Sequence, residues 1–157
     1  MGMDVYGINP KTDNGDYFRA NVWWWRPLWE CVAYYCDDIL SEEDIIEGTY
    51  NNGYEYNETT ALKISDRLES LLKDGTLYKY KTTRDSYLEE LPDEECKICD
   101  ATGKRKEPPK IGAGKIKCNG CDGKGKKENW SKEYPFEVDF VMDFAKFCEQ
   151  SGGFTIC

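Results

Sequence analysis

The chain has 157 residues, 39% of them hydrophobic and 14% aromatic, with five Trp and eleven Tyr, which is enough apolar material for one domain and excludes disorder throughout. Its formal net charge is −9, and it contains no His, which removes the commonest general base and every His-ligated metal site. No run of about 18 apolar residues occurs and no basic-then-apolar leader opens the chain, so a cytoplasmic protein without membrane attachment is expected.

Residues 4–9 read as a short strand and Asp13-Asn14-Gly15-Asp16 as a turn. An aromatic run from Tyr17 to Trp29 follows. Taken as extended, it puts Trp23 and Trp25 on one face and Trp24 on the other. Pro27 suits the first position of a helix whose Leu28, Val32, Tyr35, Cys36 and Ile39 recur at helical spacing. Ser41 with Asp44 resembles a capping box for a short helical segment stopping near Gly48.

Asn51-Asn52-Gly53 is a turn, and Asn57 to Thr60 offer caps for a helix with Ala61, Ile64, Leu68, Leu71 and Leu72 on one face, stopped by Gly75. The segment 77–91 is ambiguous, since Leu77, Tyr78 and Tyr80 favour a strand while Tyr87, Leu88 and Leu91 suit a helix. Pro135 opens a final helix with Phe136, Phe140, Phe144, Phe147 and Cys148 on its core face, ended by Gly152-Gly153.

Cys96-x-x-Cys99 and Cys118-x-x-Cys121 are separated by 18 residues, within the range of two-pair zinc sites. Two thiolates three residues apart grip one zinc from a tight turn, and two such turns complete a tetrahedron at ~2.3 Å per Zn–S bond. One structural zinc per chain is therefore expected on Cys96, Cys99, Cys118 and Cys121, with no open position for water. Of the remaining thiols, Cys31, Cys36 and Cys148 read as small buried hydrophobes, and Cys157 carries no pairing signal.

From Cys96 to Glu128 ten Lys or Arg stand against four Asp or Glu, which makes this segment +6 and leaves −15 for the rest of a chain at −9. Four thiolates and one divalent ion add −2, so the segment stays basic at about +4. The expected fold class is α+β: a mainly helical body with short strands, residues 1–95 plus 129–157, and an inserted zinc-stabilised double β-hairpin at 96–128.

Each cysteine pair continues alike, as Cys99-Asp100-Ala101-Thr102-Gly103-Lys104 and Cys121-Asp122-Gly123-Lys124-Gly125-Lys126. Residues 96–126 thus resemble the cysteine-rich zinc repeat of DnaJ-type chaperones, Cys-x-x-Cys-x-Gly-x-Gly. Ala101 replaces the first Gly of the first unit. Two units imply one zinc site rather than two, and a chain without His cannot carry the His-Pro-Asp signature of a J-domain. The opening from Met1-Gly2-Met3-Asp4 through Tyr17-Phe18-Arg19 and Trp23 to Trp29, with Tyr134-Pro135-Phe136 and Gly152-Gly153-Phe154, is similar to small uncharacterised proteins of bacteria and tailed phages. That likeness implies phage origin, action on a host or defence protein, and residence in the host cytoplasm, but no activity.

No phosphate-loop, nucleophile-elbow or dinucleotide pattern is present, and Asp66 and Glu69 face solvent by periodicity, so no enzyme is expected. The leading expectation is a zinc-binding protein-interaction module, an adaptor or inhibitor with a protein partner. Its partner-binding residues are expected among Trp23, Trp24, Trp25, Arg26 and Trp29 and the basic Lys104, Arg105 and Lys106. Nucleic-acid binding through the basic insert is the first alternative, opposed by the −15 body, and a chaperone-like binder of unfolded chains is the second.

Overall fold

A computed structural model describes residues 2–157; Met1, where the opening motif begins, lies outside them. In chain order the elements are β1 (Gly2–Gly7), β2 (Tyr17–Asn21), α1 (Val22–Tyr35), α2 (Glu42–Glu47), β3 (Tyr54–Tyr56), α3 (Glu58–Lys73) and α4 (Thr76–Glu90). Then follow β4 (Glu94–Glu95), β5 (Lys104–Arg105), β6 (Ile116–Lys117), β7 (Lys126–Lys127), α5 (Val138–Gln150) and β8 (Phe154–Ile156). The architecture is α+β, with small antiparallel sheets. The chain divides into Met1–Asp85 with Tyr134–Cys157, and Ser86–Glu133. The second unit is longer at both ends than the 96–128 read from cysteine spacing and charge.

In the first unit, a four-stranded antiparallel sheet runs in the order β2-β1-β8-β3. Val5 stands opposite Phe18 on one side and Ile156 on the other, and Tyr56 stands opposite Phe154. Met3 and Val5, and Phe154 and Ile156, are buried at every second position, so one face of the sheet is sealed. Against it lie α3, burying Ala61, Ile64 and Leu68, and α5, burying Val138, Val141, Phe144, Ala145, Phe147 and Cys148. The Phe144 ring meets Phe18 at 5.3 Å, Trp25 at 5.6 Å and Phe154 at 5.8 Å between centroids. Aromatic pairs at such distances add to the area they bury.

The aromatic run departs from the extended reading. Helix α1 begins at Val22, because the Asn21 side chain accepts the amides of Trp23 (3.0 Å) and Trp24 (3.1 Å) and so caps it five residues ahead of the expected Pro27 start. Pro27 lies inside the helix and leaves the Trp23 carbonyl without its usual donor. Helical spacing then puts Trp25, Leu28, Trp29 and Val32 into the core.

The capping box of Ser41 and Asp44 forms on α2, and the Asn57 side chain accepts the Thr60 amide at the start of α3. Gly75, at φ +83°, follows the α3 end as expected. The ambiguous 77–91 stretch is helical, although Leu77 is its one fully buried residue. Tyr80 meets Phe136 at 4.9 Å, and Lys81 donates to the Phe136 carbonyl (3.0 Å) and to Asp85 (2.8 Å). The last helix starts at Val138 rather than Pro135, with Phe136 already buried ahead of it.

Three substitutions test this packing by urea unfolding. Phe144→Ala should cost about 3–5 kcal/mol, Asn21→Ala about 1 kcal/mol, and Tyr78→Ala, at a position 55% exposed, less than about 0.5 kcal/mol. An unchanged midpoint for Phe144→Ala would show that α5 does not carry the core.

Candidate metal centre

The centre lies in the second unit and grows from two short antiparallel pairs, β4 with β7 and β5 with β6. Cys96 follows β4 and Cys118 follows β6, and Cys99 and Cys121 lie in the turns after them, so the two halves repeat at an interval of 22 residues. The halves are tied reciprocally. The Cys96 amide donates to the Gly125 carbonyl and the Cys118 amide to the Gly103 carbonyl, each at 2.9 Å. Within each turn the chain folds back alike, with Ala101 donating to the Cys96 carbonyl at 3.1 Å and Gly123 to the Cys118 carbonyl at 2.9 Å.

This geometry dictates the residue types around it. Gly103 and Gly125 have φ of +73° and +77°. A Cβ on Gly103 would lie 2.2 Å from the Gly123 carbonyl oxygen, and one on Gly125 would lie 2.1 Å from the Ala101 carbonyl oxygen. No L side chain fits either place. Ala101 occupies the matching left-handed position at φ +59°, where glycine stands in the other half as Gly123, and it carries the strain of a Cβ in that region.

The four Sγ atoms lie within 4.8 Å of one another, and all four cysteines are buried. The Cys96–Cys118 separation is 3.9 Å and the Cys99–Cys121 separation 3.7 Å. Disulfide sulfurs would be about 2.05 Å apart, whereas a tetrahedral ion with bonds of about 2.3 Å separates its sulfurs by about 3.8 Å. The donor set therefore fits one metal ion. The Gly125 amide donates to Cys121 Sγ at 3.2 Å. Burial raises the Cys121 thiol, but this amide and the neighbouring thiols outweigh it and bring the group to about 7. On Cys99 burial prevails over the Gly103 amide and pushes the thiol to about 12. Cys121 is thus held closer to the thiolate form that metal requires.

Apart from the cysteines, the apolar cluster here contains only Ile98 among the described residues. Two side chains brace the first turn, of which Thr102 carries no signal in the sequence. Thr102 Oγ1 lies 2.6 Å from the Cys99 carbonyl and 2.7 Å from that of Lys104, and Asp100 accepts the Ala113 amide at 3.1 Å. Both fix the first turn onto the β5–β6 hairpin.

The other expected site residues are distributed differently. Trp25 and Trp29 are buried, stacked at 5.6 Å, and donate their indole N–H to the carbonyls of Gly48 (2.8 Å) and Ile45 (3.0 Å). They pack into the core and also line a cleft beside Arg26. Trp24 is half-buried against Phe140 at 5.2 Å. Trp23 is 41% exposed, and its ring meets Tyr134 at 4.9 Å, while Arg26 donates to the Tyr134 hydroxyl at 3.0 Å. Beside Arg26 opens a cleft of about 380 Å³ lined by Trp25, Trp29, Glu30, Thr49 and Tyr50. Lys104 and Lys106 are exposed, and Arg105, half-buried, donates to the Asn119 side chain at 2.7 Å. Cys31, Cys36 and Cys148 are buried in the hydrophobic core, with thiols raised by that burial.

Competition with a chromophoric chelator reads out the glycine constraint. Gly103→Ala and Gly125→Ala should each weaken metal binding at least about tenfold, whereas Ala101→Gly should leave it unchanged or a few-fold tighter, since strain of ~1–2 kcal/mol is relieved. Equal affinities for all three would contradict the reciprocal arrangement. No family model, curated protein or solved structure matches the chain, so the cage and its surroundings carry the functional reading.

Proposed function

We propose that the chain is a zinc-binding, non-enzymatic protein-interaction module, an adaptor or inhibitor whose zinc holds the contact surface in shape. The observation that supports this reading is the donor set: four buried cysteine sulfurs lie within 4.8 Å of one another, and four thiolates on one zinc would complete its tetrahedron without a position for water or substrate. Four sulfur donors in that arrangement select zinc or an iron–sulfur cluster over hard cations. A single ion suits sulfurs only 3.7–3.9 Å apart.

The metal substitutes for a core. With Ile98 alone packed on the cysteines, the unit has little apolar area to offset the entropy of ordering its loops, whereas structural zinc supplies about 10–16 kcal/mol of apparent binding energy. Folding of the unit and metal binding are then one event. The opening motif's likeness to small phage and bacterial proteins supports a host or defence protein as the target. Nucleic-acid binding is the second reading, supported by the exposed Lys104 and Lys106.

Metal analysis of chain purified without chelator should give one zinc per chain. Its removal should abolish amide protection at residues 96–127 while the β2-β1-β8-β3 sheet stays protected, and zinc should restore it. A stoichiometry well below one, or an insert equally protected after chelation, would overturn the structural role. Capture from candidate host lysates by the zinc-loaded chain, and not by the chelated chain, tests the interaction; recovery of nothing specific in several hosts would count against it.

A further inference from the structure

The two antiparallel strand pairs of the metal unit match in backbone but not in charge. In the β4–β7 pair, Glu94 stands opposite Lys127 and Glu95 opposite Lys126, so each positive charge faces a negative one. In the β5–β6 pair, Lys104 stands opposite Lys117 and Arg105 opposite Ile116. Like charges directly across a ladder are destabilising, and between Lys104 and Lys117 six basic residues stand against one acid, Glu107. Asp122 reaches Lys117 at 2.7 Å. Lys104, Lys106, Lys110 and Lys115 have no ion pair within 4 Å among the described residues.

The same hairpin exposes aliphatic surface. Ile111 is 66% exposed and Ile116 46%. The connection between them is rigidly held: the Lys106 amide donates to the Gly112 carbonyl, the Gly112 amide to the Ile98 carbonyl and the Gly114 amide to the Lys104 carbonyl, at 2.9–3.0 Å. A face fixed before it meets its partner loses little entropy on binding.

We propose that this hairpin, with Lys104 and Lys117 on one side of its ribbon, Ile116 on the other and Lys110, Ile111 and Lys115 in the connection, docks an acidic segment of a partner protein in which Asp or Glu residues flank aliphatic side chains. The inference rests on the reading of the chain as an interaction module and names the chemistry of its partner. Charge complementarity selects an anionic occupant. The exposed isoleucines select a polypeptide over a nucleic acid, because bases stack on aromatic rings and guanidinium planes, whereas aliphatic side chains accommodate Leu, Val or Ile. The chain's net charge of −9 also opposes a uniformly charged polyanion more than a short acidic segment.

The test measures binding of the zinc-loaded full chain to three fluorescent probes: a peptide of alternating Glu and Leu, a poly-Glu peptide of equal charge, and a single-stranded oligonucleotide of equal charge. The Glu/Leu peptide should bind most tightly, with an affinity that falls steeply as salt rises from about 50 to 200 mM. Lys104→Glu with Lys115→Glu should weaken it at least about tenfold, and Ile111→Ser with Ile116→Ser about fivefold. Lys63→Glu with Lys79→Glu, the same charge change on the other unit, should move it less than about twofold. Zinc stoichiometry checks that each variant keeps its fold. Tighter binding of the oligonucleotide assigns the face to nucleic acid and overturns the proposal. So does the absence of peptide binding at low salt, or an equal response to both charge reversals. If host-lysate capture by the zinc-loaded chain survives in the Lys104→Glu, Lys115→Glu variant, this face is wrong and the interaction module stands; if capture fails for the parent chain as well, both readings fall.

Discussion

Four cysteine sulfurs gathered within 4.8 Å are the constraint on which the second unit depends. Around them are turns with six left-handed residues at Asp100, Ala101, Gly103, Asp122, Gly123 and Gly125, a single apolar neighbour among the described residues, and strands of two residues. Strands this short have no independent stability. Covalent-strength metal–sulfur bonds can hold such a framework where area burial cannot, and they make the permitted residues narrow near the cage and wide beyond it. The glycines at which an added Cβ would lie about 2 Å from a carbonyl oxygen are fixed by contact; the charges on the strand pairs are not, and that freedom is where the two halves diverge.

The first unit depends on a different force. Its core is a continuous aromatic cluster in which Trp25, Trp29, Tyr56, Phe144, Phe147 and Phe154 are nearly or wholly buried, and each buried aromatic side chain removes roughly 150–250 Å² from water. Buried indoles need an acceptor, and the carbonyls of Gly48 and Ile45 provide it. Gly48 is doubly constrained, because a Cβ there would lie 2.0 Å from the Trp29 ring. The tryptophan run is therefore mainly a folding device, with Trp23 left partly exposed at its edge.

The parts of this protein that were legible in the sequence are those whose determinants are local. The Ser41–Asp44 box, the Asn57 cap and the paired cysteines each place their interacting groups within a few residues. What was not legible depends on distant partners. Strands β3 and β8 have three residues apiece, too few to show a period, and exist because β8 inserts between β1 and β3. Pro27 carried the stronger start signal for α1, yet Asn21 begins the helix, since Trp25 and Trp29 reach the core only if the turn before proline is already wound. Helix α4 has one fully buried residue, so no periodicity announced it. At the metal site the ligands were readable, but the crossed bonds from Cys96 to Gly125 and from Cys118 to Gly103 join halves 22 residues apart and emerge only in the fold.

The crossed bonds also explain how one cage can carry two unlike surfaces. Because each half is anchored through the other's backbone, closure of the sulfur tetrahedron leaves the side chains of β4, β5, β6 and β7 wide latitude, with Arg105 bonded to Asn119 and Lys117 paired with Asp122 as the links to the turns. On β4–β7 the variation cancels charge between strands, as a pair that only has to be stable would require. On β5–β6 it accumulates charge and leaves Ile116 at the surface, a combination that opposes the isolated fold on both counts. A scaffold that tolerates unfavourable pairing in one of two equivalent positions has stability to spare there, and the retained imbalance is what an interaction surface requires. The asymmetry between two backbone-equivalent strand pairs, more than the total charge of the segment, is the physical ground for the contact surface proposed on β5–β6.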